Sequence, residues 1–245
     1  MTSVTDPQDA HTPSPRHRLA RALRRAGYEV LPFPSAHDKV LAHVPREVPL
    51  TITTTEAKGL EPTLDLAVRL RAAGYRVSPH LAARLVRDKE HLVDIVDRLR
   101  DGGVDGVFVI GGDAAEPVGD FPDALGLLEA LGDIGHPFTT VGVGGYPEGH
   151  GAIPDAALAQ ALADKAPHAT HVVTQLCFDA AATTRWARST ALPVHVGVPG
   201  GYRADRLLSR LAPDFEGPVA GIHVFTFNDL DATETWRQNL LARLT

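Results

Sequence analysis

The chain is expected to fold as a single α/β domain, a (β/α)8 or TIM barrel with an extra N-terminal helix. Three observations lead there. Eight short runs rich in β-branched residues recur along the sequence, each is followed by enough residues for one helix with its turns, and polar groups gather where the runs end. Strands that alternate with helices are parallel and joined by right-handed crossovers. Eight such units close a barrel of ~250 residues, and this chain has 245.

In order along the chain, residues 1–15 are rich in Thr, Ser, Pro and Asp with little to bury, and read as a disordered tail. Residues 16–245 then form the barrel, one catalytic domain without a linker. His17–Ala26 reads as a helix that stops at Gly27. A helix before the first strand is expected to plug the lower end of the barrel, with Arg16, Arg18, Arg21, Arg24 and Arg25 on a solvated face. Strands are expected near Tyr28–Leu31, Leu50–Thr53, Arg76–Pro79, Gly106–Ile110, Phe138–Val143, His171–Gln175, Val194–Val198 and Ala220–Phe225. Between the third and fourth, Leu92, Ile95, Val96 and Leu99 recur at i, i+3, i+4, i+7, one helix stripe. Pro62 and Pro154 sit where a first-turn proline is tolerated. Val107-Phe108-Val109-Ile110 is apolar throughout, as a strand buried on both faces must be.

Composition excludes several classes. A net charge of −6 without a basic stripe argues against nucleic acid as a partner. The single cysteine, Cys177, forbids an intrachain disulfide and a cysteine-rich zinc site, which fits a reducing cytoplasm. No run reaches membrane-spanning length, and no apolar leader core follows the N-terminus, so a cytoplasmic protein without a membrane partner is expected.

The loops after the strands are where such barrels carry chemistry. Glu29 lies inside an apolar first strand. Burial there makes it either a proton donor still loaded near neutrality or a carboxylate paired with a core arginine or a backbone N–H. Gly111-Gly112-Asp113 closes the fourth strand; the glycines let backbone approach a ligand and Asp113 can hold a positive charge, although the same triplet also makes an ordinary turn. His80 ends the third strand, and Gly144-Gly145-Tyr146-Pro147-Glu148-Gly149-His150 follows the fifth, a composition suited to stacking on a planar heterocycle or to plain structural roles. Gln175 offers a donor and an acceptor together at the end of the sixth strand. Gly197-Val198-Pro199-Gly200-Gly201 is either a phosphate loop or a turn. His80, His150, His223, Glu29 and Asp113 could converge on a metal, but no His-x-His or HExxH pair anchors one, and none is expected.

Seven segments, Glu29–Pro32, Leu50–Thr53, Pro79–Leu81, Gly112-Asp113, Tyr146–His150, Thr174–Asp179 and His223–Asn228, together resemble methylenetetrahydrofolate reductase. Lys58-Gly59-Leu60 with Pro79–Leu85 is similar to the short bacterial branch of that family that works without flavin. The resemblance implies reduction of 5,10-methylenetetrahydrofolate, a small-molecule folate substrate, to 5-methyltetrahydrofolate. It makes Glu29 the general acid and Asp113 the carboxylate beside the pterin. Gln175, Asp113 and Asn228 become substrate contacts, and Thr53, His80, Gly112, Tyr146 and His150 the cofactor site. Where flavin-bearing members have Arg, this chain has Gly111; Asp229 replaces a substrate-binding Arg, and Asp155–Lys165 has lost the basic helix. An FAD pyrophosphate normally wants such partners. The expected reaction is therefore direct hydride transfer from NADH or NADPH, with an FAD-dependent version second. A barrel that binds folate or nucleotide without turnover is the rival, and an unrelated barrel lyase or metal hydrolase a third reading.

Overall fold

A computed structural model describes residues 13–200 and 204–245. The proposed N-terminal tail lies mostly outside the described residues, as does Gly201. Within them the strands are β1 (Gly27–Val30), β2 (Leu50–Ile52), β3 (Val77–Ala82), β4 (Gly106–Ile110), β5 (Thr140–Gly145), β6 (His171–Leu176), β7 (Val194–Pro199) and β8 (Val219–Phe225). They pair in parallel, each with its sequence neighbour, and β8 closes on β1, so the sheet is a barrel. The helices are α1 (Pro15–Arg24), α2 (Ala36–His43), α3 (Glu61–Ala72), α4 (Lys89–Asp101), α5 (Ala124–Ile134), α6 (Asp155–Lys165), α7 (Ala180–Ser189), α8 (Ala204–Leu211) and α9 (Leu230–Leu244).

Local chemistry sets the crossovers. Leu92, Ile95, Val96 and Leu99 bury one stripe of α4, and its cap Asp88 accepts from His91 N at 2.7 Å. Asp123 and Asp179 cap α5 and α7 in the same way, and α5 stops at Gly135, which takes the left-handed conformation. Outward strand residues such as Tyr28, Val30 and Ile52 are fully buried beneath the helices. The Tyr28 hydroxyl donates to Glu234 at 2.6 Å, and the buried Arg237 grips the same carboxylate at 2.7 and 2.9 Å. That network satisfies an otherwise costly internal cation.

The N-terminal helix differs from expectation in start and place. Ser14 caps it, with its hydroxyl accepting from His17 N, and Pro15 occupies its first turn, so residues 14 and 15 belong to structure rather than to a tail. It lies along α8, α9 and β8 on the barrel's flank instead of plugging the end. Its stripe Leu19, Ala20 and Leu23 is buried there, and Arg16 donates to the Leu244 carbonyl at 3.0 Å.

The inside of the barrel is unusual. Such interiors are normally layers of Val, Ile and Leu. Here Glu29, His80, His171, His195 and His223 are partly or fully buried on the strands, and glycines make room for the rings. A Cβ on Gly142 would lie 2.4 Å from Phe108 and 2.8 Å from His171 Nε2, and one on Gly221 3.1 Å from the His195 ring. Among the described residues no helix is long and apolar enough to cross a membrane.

Candidate active site

At the C-terminal ends of the strands a cavity of about 680 Å³ opens, lined by Glu29, His80, Gly112, Asp113, Tyr146, His150 and Gln175 among others. This is within the ~300–1,000 Å³ range of small-molecule sites. Seven of the nine predicted site residues are thus brought to one wall-to-wall space.

Glu29 sits at its base. Its Oε2 is 3.6 Å from His223 Nε2 and 3.9 Å from His80 Nε2, with the side chain 16% exposed. Neither bland alternative holds among the described residues: no Arg or Lys pairs with this carboxylate, and no backbone N–H donates to it. Burial drives the His80 pKa down to about 4, so that ring is neutral beside Glu29. Among the described residues its Nε2 is buried without a hydrogen-bond partner, while its ring stacks on Phe108 at 4.7 Å. An unmatched polar atom in a cavity wall is one that a ligand can satisfy.

The rim is assembled by backbone devices. Gly112 adopts φ +95°, which turns the chain after β4 and sets Asp113 on the exposed edge. Asp113 lies near Tyr146, whose hydroxyl is pushed up in pKa first by burial and then by that carboxylate. Tyr146 meets His150 edge-on at 5.3 Å. In β6 one extra residue intervenes between Val173 and Leu176 relative to β7, a bulge. The Thr174 hydroxyl fills the gap by accepting from Gly197 N at 2.8 Å. Gln175 is exposed there; its Oε1 accepts from Leu176 N at 2.9 Å, and among the described residues its amide N–H groups have no partner.

Two predicted residues are not in this space. Asn228 is a clasp: its Oδ1 accepts from Leu31 N at 2.8 Å and its Nδ2 donates to Leu31 O at 2.9 Å, which leaves its amide engaged with backbone rather than substrate. Thr53 does not line the cavity: its carbonyl is held by the Thr63 hydroxyl at 2.6 Å and its own hydroxyl is buried. The cavity also contains His223, which the sequence offers only as a possible metal ligand, and Phe108, Phe225 and Lys165, which it does not mark. Period-two parity along β8 was the available signal for His223 and Phe225. Lys165, at the end of α6, has its pKa lowered by burial against an opposing pull from Asp123. Among the described residues no group of three or more His, Cys, Asp or Glu is disposed to hold a metal ion.

No family model matches the chain. Solved structures do resemble it. An uncharacterised protein from Clostridium thermocellum that binds two copies of 5-methyl-5,6,7,8-tetrahydrofolic acid superposes with a TM-score of 0.63 at 10% identity, over 93% of this chain and 99% of that one. A protein from Burkholderia cenocepacia J2315 provisionally assigned as a phosphonomutase gives 0.58 at 16%, over 94% and 99% of the two chains. An oxaloacetate acetylhydrolase gives 0.58 at 11%, over 94% and 85%.

These findings correct the expectation of a methylenetetrahydrofolate reductase, in its direct and flavin-dependent forms and in its non-catalytic folate- or nucleotide-binding form. No family model matches, and the similar structures include mutase and hydrolase assignments rather than that enzyme. The physical reason lies in the motifs. Each is a few polar residues at a strand end, where every barrel of this kind places its site residues, so a shared fold reproduces their order without sharing the reaction. NADH, NADPH and FAD were implied only by that reaction and lose that support with it. What the likeness establishes is the fold, a closed eight-stranded parallel barrel.

Proposed function

We propose that the protein is an enzyme in which Glu29 transfers a proton to or from a small planar, amide-edged heterocycle held at the barrel mouth. One observation carries this. Among the described residues a carboxylate that no Arg or Lys pairs stands at the base of a ligand-sized cavity, between His223 Nε2 at 3.6 Å and the unmatched Nε2 of the neutral His80 ring at 3.9 Å. A group so placed is free to change protonation state during a reaction. The ring walls of Phe108, Tyr146 and Phe225 suit a flat ligand, and the Gln175 amide with the Asp113 carboxylate supplies both donor and acceptor for its edge. The folate bound by the Clostridium thermocellum protein belongs to the same chemical class, which supports that class and not a reaction.

The test is a binding panel of 6-methyltetrahydropterin, lumiflavin, nicotinamide mononucleotide and oxaloacetate, read by calorimetry on wild type and Glu29→Gln. Planar compounds should bind both forms with similar affinity, while any proton uptake on binding is lost and any turnover falls ~10²–10⁴-fold in the variant. Binding of oxaloacetate alone, or full turnover in Glu29→Gln, would defeat the proposal.

A further inference from the structure

The site explains Glu29 and His80 but not the histidines below them. His171 and His195 lie deeper in the barrel, with ring centroids 5.2 Å apart, and burial together with neighbouring imidazoles lowers both pKa values to about 4. These two neutral rings, with His223 above them, displace the aliphatic layers that would stabilise a barrel more cheaply. Glycines are spent to admit them, at Gly142 against His171 and at Gly221 against His195.

Their order along the axis is informative. Glu29 Oε2 faces His223 Nε2 at 3.6 Å, and His223 Nδ1 is 4.0 Å from where a Cβ would stand on Gly27, two residues down β1 from Glu29. Pairing of His195 with Gly221 and of Gly197 with His223 sets His195 one step further down, diagonal to His223. His171 Nδ1 is then 3.0 Å from the hydroxyl of Thr170, an exposed residue at the start of β6. His223 is near enough to both lower rings to lower their pKa values, so the three imidazoles line the way from the site carboxylate to the lower face. The ionisable groups facing it are Glu29 on β1, His80 on β3, His171 on β6, His195 on β7 and His223 on β8, with Asp113 and Tyr146 only at the upper rim.

We propose that this line is a proton relay that exchanges the Glu29 proton with solvent at the N-terminal face of the barrel while a ligand covers the mouth. It rests on the reading of Glu29 as the proton-transferring group. After Glu29 gives its proton to a ligand, the carboxylate takes the Nε2 proton of His223. His223 takes one on Nδ1 from the His195–His171 pair, with a water closing any gap too long for a direct bond. The pair is recharged at the Thr170 end. One proton enters below for each one delivered above, and every imidazole ends neutral with its tautomer exchanged.

A hop of this kind requires tautomer exchange, which a merely packed histidine lacks. Nitrogen-15 spectra of the ligand-free, full-length protein with labelled histidines should show averaged Nδ1 and Nε2 shifts for His223 and His171 at neutral pH. In His171→Asn and in His195→Asn, His223 should revert to one fixed tautomer while the melting transition remains cooperative. A single fixed tautomer at His223 in wild type overturns the relay, as does averaging that survives in both variants. Should either variant fail to fold, the wild-type spectrum alone decides. Because these spectra need neither ligand nor turnover, an unreactive Glu29 in the binding panel would fail separately from the relay.

Discussion

Replacing Asn228 with Ala tests whether that residue holds the mouth together or holds a ligand. Its amide closes two hydrogen bonds with Leu31, at 2.8 and 2.9 Å, and ties the loop after β8 to the loop after β1 that follows Glu29. Asn228 is buried and stands at φ 61°, next to Phe227 at φ 49°. Removing the amide strands a backbone N–H and a carbonyl; because Leu31 is only half-buried, water recovers part of the loss and about 2 kcal/mol is expected for the pair. Alanine in the left-handed region adds about 1 kcal/mol. A loss near 3 kcal/mol is large against the ~5–15 kcal/mol that holds a domain folded. Urea unfolding followed by circular dichroism would read it directly. Asn228→Gly removes the same amide without the backbone penalty, so it should fall about 1 kcal/mol short of the alanine variant. Planar-probe affinity of the folded fraction should change little in either. An alanine variant within ~1 kcal/mol of wild type, or a glycine variant worse than alanine, would refute the clasp; a selective loss of probe binding would return Asn228 to the ligand.

The remaining predictions concern the interior. Gly142→Ala places a Cβ 2.4 Å from Phe108 and 2.8 Å from His171, so a loss of ~1–3 kcal/mol is expected from overpacking, and an unchanged melting temperature would contradict the packing. His80, His171 and His195 hold pKa values near 4 when folded, below the ~6.5 of an unfolded chain. The unfolded state therefore binds more protons between those values, and stability should fall as pH drops from about 6.5 toward 4, with slope set by up to three protons. Equal urea midpoints at pH 7 and pH 5 would contradict it.

Much of the architecture was legible because period and length are local properties. Val107–Ile110 and the stripe Leu92–Leu99 announce themselves, and every expected strand overlaps an observed one. The third was placed too early: β3 runs on to Ala82 through Pro79 and His80, since barrel closure pairs His80 with Phe108 whatever the local propensity. The site was legible where a polar residue follows an apolar run, as at Asp113, Tyr146 and Gln175. It was not legible where the deciding fact is a distant partner. Nothing around Asn228 indicates Leu31, and nothing in Thr174-Gln175 indicates the bulge that leaves the glutamine exposed at the cavity. The interior histidines were visible in principle, since Gly221-x-His223-x-Phe225 alternates inward, yet reading them as a column needs the register of five strands.

The helix α6 has a consequence of its own. It contributes no fully buried residue, although Ala157, Leu158 and Ala161 face the cavity. A segment with so little of its surface locked into the core opens locally at small free-energy cost, well below global unfolding. The compliance of the site is therefore one-sided: the barrel wall behind Glu29 is stiff, and the flank beneath α6 is soft. Ligands of different girth would be met by displacement of that flank, with the position of the reacting carboxylate left undisturbed.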